Sequence, residues 1–228
     1  ENYRLTDDDT KAFFYNNDYR GETYNVQCGD NRLRMYRGES HGHTICVGSG
    51  CTDDSHDKVF FDALTYDATN KTLKYGGMLQ SASTGYYPLT NGSWYLTGDL
   101  ELDAPLRISG DVRLCLNGYR IILKAEGNVI EIGDSNDATN AMLTLCDCKR
   151  NGTVTEYGRI THGTDVEGSQ YFGRGVMLRS KNSGFTMYGG AITGNALAEN
   201  TPAGAGVYVC AASNFTMYGG EISGNKIT

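Results

Sequence analysis

The sequence predicts an all-β solenoid, a stack of coils each built from three short strands. Three observations predict it. The chain has 30 Gly and 16 Tyr but only 3 Pro, with charged residues at 21%, which suits many short strands joined by turns and does not suit a helical bundle or disorder. FTMYGGAITGN at 185–195 returns as FTMYGGEISGN at 215–225, and a fixed period of about 30 residues marks a repeat architecture. Inside each copy the apolar residues alternate with the strand period of two, not the helical 3.6.

Residues 1–92 do not repeat. They run from an acidic and aromatic stretch, DDDTKAFFYNNDYRGETY, through HGHTICVGSGCTDDSHD at 41–57, to a turn-rich GGMLQSASTGYYPLTNG at 76–92. A stack of coils exposes its end strands, so this region is expected to supply an irregular N-terminal cap on the first coil. SWYLTGDLELDAPLRIS (93–109) reads as that first coil, and GDVRLCLNGYRIILKAEGNVIEIG (110–133) adds three apolar runs separated by Asn-Gly and Gly-Asn turns. AMLTLCDC (141–148) takes the place of FTMYGG, and YGRITHG (157–163) that of YGGAITGN, which sets Ile160 where Ile192 and Ile222 stand. The runs Val176 to Leu178 and Val207 to Val209 open the last two coils. Residues 93–228 therefore read as four to five coils.

The twin units carry an expected ladder. Phe185 and Phe215, Met187 and Met217, and Ile192 and Ile222 face the interior, while Thr and Tyr of the same strands face outward. The Gly pair allows a bend that side chains would crowd. Asn195 and Asn225 end the two copies at the same turn, where their amides are expected to hydrogen-bond from coil to coil.

Charge and length exclude some functions. With 20 Lys and Arg against 27 Asp and Glu the formal charge is −7, so no broad positive field attracts nucleic acid or anionic lipid. No run approaches the ~18 apolar residues of a membrane helix. The start, ENYRLTDDDT, lacks Met and a signal-peptide core, so the chain reads as a mature or excised piece. At the other end SGNKIT follows a repeat directly, which predicts further coils or another domain C-terminal to it in a parent protein.

Seven cysteines leave at least one unpaired within a monomer. His43, Cys46, Cys51 and His56 form an H-x2-C-x4-C-x4-H series on a Gly-rich loop, a donor set that can close tetrahedrally on a structural zinc. A Cys46 to Cys51 disulfide across the same loop is the alternative. Cys115, Cys146 and Cys148 fall on the outward face and read as small space-filling thiols. GDSNDATN (133–140) has oxygen donors but not the spacing of an EF-hand, and reads as a solvated turn.

YLTGDLEL, VRLCLNGYRI, LTLCDC followed by GRITHG, GVYV and the twin FTMYGG units together resemble the β-helix repeat regions of large adhesin-like surface or secreted proteins of anaerobic gut bacteria. The resemblance covers about 93–228. It implies a right-handed parallel β-helix of the pectin-lyase-like kind and export to the cell surface, without a known activity. The expected role is a binding or display module for a glycan or host protein, with Tyr188 and Tyr218 as an outward column and Tyr208 and Tyr171 beside it. A glycan-active enzyme is the first alternative, since the fold hosts lyases and hydrolases. Acids are nevertheless few in the repeats, and Asp111 with Arg113, or Asp147 with Arg159 and His162, are the sets open to it. A passive stalk is the second alternative.

Overall fold

A computed structural model describes residues 58–134, 140–147, 157–162, 171–201, 203–210 and 212–228, with side chains from Phe61 onward, and the backbone of five short strands before them. The chain divides into two compact units, Glu1–His41 and Gly42–Thr228. In the first, β1 (Tyr3–Leu5) pairs antiparallel with β2 (Ala12–Phe14), and β3 (Thr23–Cys28) with β4 (Asn31–Tyr36). The short β5 (His41–Thr44) follows.

The second unit opens with a meander of β6 (Lys58–Asp67), β7 (Thr72–Tyr75) and β8 (Met78–Ser81), antiparallel to one another. Next come β9 (Tyr87–Leu96), β10 (Leu100–Leu102), β11 (Leu106–Cys115), β12 (Arg120–Leu123), β13 (Ile130–Ile132), β14 (Met142–Cys146) and β15 (Arg159–Thr161). The remainder is β16 (Val176–Leu178), β17 (Gly184–Met187), β18 (Ala191–Thr193), β19 (Ala196–Leu197), β20 (Val207–Val209), β21 (Asn214–Met217), β22 (Glu221–Ser223) and β23 (Lys226–Ile227). The described residues are all-β, with no helix, and every strand pair from β9 onward is parallel.

Three parallel ladders share the work. In the first, Tyr87, Leu106, Ile130, Val176 and Val207 align across β9, β11, β13, β16 and β20. The second uses the later halves of β9 and β11, with β14, β17 and β21, and aligns Leu143, Phe185 and Phe215. In the third, Leu100, Ile121, Ile160, Ile192 and Ile222 align across β10, β12, β15, β18 and β22. β9 and β11 serve two ladders because each turns partway along. On β11 the register shifts between Ser109 and Val112, where Gly110 has φ +70° and an added Cβ would sit 1.9 Å from Asn91 Oδ1. That oxygen accepts the Asp111 N–H at 2.8 Å, so the bend requires glycine.

Alternate residues of all three ladders meet in one apolar cluster that includes Leu89, Ile108, Leu114, Leu145, Ile160 and Met187. Each such side chain contributes about 1.5 to 3 kcal/mol on burial, and the period of two leaves every second residue outside. At the start of the ladders, β6 pairs parallel with β9. There the Tyr75 ring meets Trp94 edge-on at 5.0 Å, Tyr75 donates to Pro88 O at 2.8 Å, and Trp94 Nε1 donates to Thr90 O at 3.2 Å. Tyr87 is fully buried beside them. Its desolvation, with hydrogen bonds to Tyr66 and Asp103, pushes its phenol well above the usual range.

The last strands are different. Met217, Ile222 and Ile227 are exposed, although their partners Met187, Ile192 and Leu197 are buried. An open cavity of about 540 Å³ is lined there by Val207, Val209, Phe215 and Ile222 among others.

Candidate functional site

On the second ladder the outward residues form a column. Register places Ala63, Tyr95, Cys115 and Cys146 in line, and Tyr188 and Tyr218 extend it, each following its paired Met. Phe61, Cys115 and Cys146 make a small apolar cluster against which Tyr95 and Tyr188 pack. The Cys146 thiol donates to Leu114 O at 3.6 Å. Tyr188 and Tyr218 stack with ring centroids 5.0 Å apart and planes 17° from parallel. Tyr188 is half-buried and Tyr218 is 70% exposed, so the column begins in thiols and ends in an open aromatic ring. Tyr208 stands on a different ladder, opposite Met177.

Inside the same strands Phe185 stacks on Phe215 at 5.0 Å and 19°. Phe185 and Met187 are buried, whereas Phe215 is half-buried and Met217 exposed.

A polar column runs through the turns after the third ladder. Asn195 has no exposed surface, and its amide Nδ2 donates to Asn225 Oδ1 at 2.8 Å and to Ile160 O and Thr193 O, each at 3.2 Å. Asn225 Nδ2 donates to Ile192 O at 2.8 Å in the next repeat. His162 joins from the other side: its Nδ1 lies 2.7 Å from Asn195 Oδ1 and its Nε2 2.8 Å from Gly127 O. These side chains add hydrogen bonds to backbone carbonyls from coil to coil.

The first ladder carries charge on its outward side. Pro88, Arg107, Glu131, Met177 and Tyr208 are in register there. Glu131 Oε2 accepts from Arg107 Nη2 at 2.6 Å and Nε at 3.2 Å. Arg179 Nη1 donates to both Glu131 oxygens at 2.8 Å, and Asn128 Nδ2 donates to Oε1 at 2.9 Å. Burial opposes the charge, but the bonds from Arg107, Asn128 and Arg179 outweigh it and hold the Glu131 carboxyl below its ordinary range. Arg107 also reaches Asp134 at 3.2 Å and lies 3.7 Å from the Tyr86 ring centroid. Arg174 lies 4.8 Å from the Tyr208 ring centroid.

The sets open to catalysis have these partners in the structure. Asp147 accepts the Gly118 and Gly158 backbone N–H groups at 2.7 and 2.8 Å, which fixes two turns. Asp111 pairs with Arg113 at 3.2 Å on the surface, and His162 belongs to the buried column. Cys46, Cys51 and His56 lie outside the described residues, as do 135–139 of the acidic turn and Cys148, and His43 is described only as backbone of β5. Among the described residues no group of three or more His, Cys, Asp or Glu is placed to hold a metal ion, and no helix is long and apolar enough to cross a membrane.

The charged network is the part that sequence reasoning missed. The signal was present: LRI, IEI, VML and VYV are four aligned triplets whose middle residue faces outward. Comparisons with family models, curated proteins and solved structures find no match to this chain.

Proposed function

We propose that residues 93–228 form a right-handed parallel β-helix and that the chain is a binding or display module of an exported or cell-surface protein, recognising a glycan. Five successive parallel strands in each of three ladders support the coiled path, and crossover connections between parallel strands run right-handed almost without exception. The observation that carries the function is the Tyr188 and Tyr218 stack. A phenol ring held parallel to its neighbour and 70% exposed offers a preordered apolar face with a polar tip, which suits the face of a sugar ring.

Tyr218→Ala is expected to weaken binding of a neutral oligosaccharide identified on a glycan array by at least about tenfold, the loss of one central aromatic anchor. Its thermal midpoint should move little, because the ring is mostly in solvent. Array binding that is absent, or that Tyr218→Ala and Tyr188→Ala both leave unchanged, would sink this reading. A host-protein ligand is the other outcome, read as capture of protein and not of glycan on the same variants.

We also propose that His43, Cys46, Cys51 and His56 hold one structural zinc. Protein purified without added metal is expected to contain about one equivalent by elemental analysis, in keeping with ligands that fold around the ion. Less than about half an equivalent, together with a Cys46 to Cys51 disulfide by mass spectrometry, decides for the disulfide.

A further inference from the structure

The outward side of the first ladder has an imbalance that the fold does not need. In a chain of formal charge −7, Arg107 and Arg179 there engage Glu131, Arg107 also reaches Asp134, and Arg174 lies over the ring of Tyr208. Glu131 is saturated by Arg107, Arg179 and Asn128. Arg107 has every nitrogen engaged by Glu131 or Asp134. Arg174 has no carboxylate partner among the described residues, and its Nε is buried without an acceptor. Arg179 uses only Nη1, and its Nε is likewise buried without an acceptor.

Those two Nε atoms have no surface for a ligand to reach, so the donors that face outward are the terminal Nη groups of Arg174. They are also oriented. Arg174 lies over the Tyr208 ring, and stacking of that kind leaves the guanidinium edge free to donate two parallel N–H bonds. A planar or tetrahedral oxyanion fits that edge, and a bidentate pair with it is stronger than a neutral hydrogen bond. Beside the oxyanion lies the half-buried Tyr208, with Met177 in register next to it, an apolar floor for a ring.

We propose that this face, formed by Arg174, Arg179, Met177 and Tyr208 above the locked Arg107 and Glu131 pair, is a second binding site that takes an acidic glycan through a ring carboxylate or sulfate held by Arg174. The site is distinct from the Tyr188 and Tyr218 column, and it extends the glycan reading of the chain by naming the ligand's charge. Glu131 and Arg107 set the floor and do not contact the ligand. The locked pair also explains why Glu131 remains ionised beside an anion, since two arginines already compensate it.

Calorimetric titration of the whole chain tests this with four probes: a uronic-acid hexasaccharide, a sulfated hexasaccharide, a neutral hexasaccharide and hexaglutamate. The expected result is binding of one or both acidic sugars, weakened at least about tenfold by Arg174→Ala and less by Arg174→Lys, which keeps charge but loses the fork. Carboxylate and sulfate sources are told apart by which of the two sugars binds. Arg174→Ala should leave any neutral-sugar binding through Tyr218 intact, because Arg174 stacks on Tyr208, which stands on a different ladder. The proposal is overturned if neither acidic sugar binds, if Arg174→Ala binds them as the parent does, or if hexaglutamate binds equally well. Failure with acidic sugars while a neutral sugar still binds through Tyr218 removes this site alone, whereas binding of no glycan removes both readings.

Discussion

Asn195→Ala is expected to lower the unfolding free energy by about 3 kcal/mol, read from urea midpoints, since each buried polar group left without a partner costs about 1 to 3 kcal/mol. Asn195 is completely buried. Its removal takes a partner from the Ile160 carbonyl, from His162 Nδ1 and from Asn225 Oδ1. Asn225→Ala removes the same residue type from the same turn one repeat later, yet should cost only about 1 kcal/mol. Asn225 is half-buried, and its amide partners, Ile192 O and Ser223 O, lie beside the exposed last strands. Equal losses for the two variants would show that the polar column is not what holds the turn.

Phe185→Ala should cost about 4 kcal/mol, the range for deleting a fully buried aromatic side chain. Its ring is 1% exposed and packs within the main core with Phe215 on one face, so the substitution leaves a void that the strands around it cannot close. Phe215→Ala deletes the same ring from the same place in the repeat. There the ring is half-buried and borders the open cavity beside β20 and β22, and less than half the cost is expected, about 1.5 kcal/mol. Denaturant midpoints with unchanged slopes would check both. A Phe215 variant as damaged as the Phe185 variant would mean that the last repeat is covered in solution.

The two contrasts share a cause, and it bears on what the sequence could reveal. The all-β class and the alignment of the twin units follow from alternation alone: a period of two leaves Phe185 opposite Phe215 and Met187 opposite Met217, or else every side chain on the wrong face. Ile160 could be placed under Ile192 by the same pattern. Upstream the reading blurs where β9 and β11 carry two ladders in one continuous strand, because their bends rest on single glycines, Gly92 and Gly110, and not on the paired glycines of FTMYGG.

His162 was harder to place for a different reason. GRITHG is one residue shorter between Ile and its terminal polar residue than AITGN, so His162 is out of step with Asn195 in sequence and meets it only in space. The charged network was hidden by loop length. Arg107 and Glu131 are 24 residues apart and Glu131 and Arg179 are 48 apart, although the twin repeats are offset by 30. Pairing by the twin period would miss both contacts. The column was legible at Tyr188 and Tyr218, and Cys115 and Cys146 could be placed on the same outward face, but that they continue one column with Tyr95 is seen only in the register.

The offset of 30 between Asn195 and Asn225, shared by Ser183 and Ser213, has a meaning for heredity. A gene that gains or loses one whole unit between such near-identical stretches shifts every later strand by a full repeat and leaves each inward residue inward. Insertion of a single codon within a strand, by contrast, turns the remaining residues of that strand to the opposite face. Unequal crossing-over between the twin stretches therefore offers this protein a way to change length in steps without redesigning its surface.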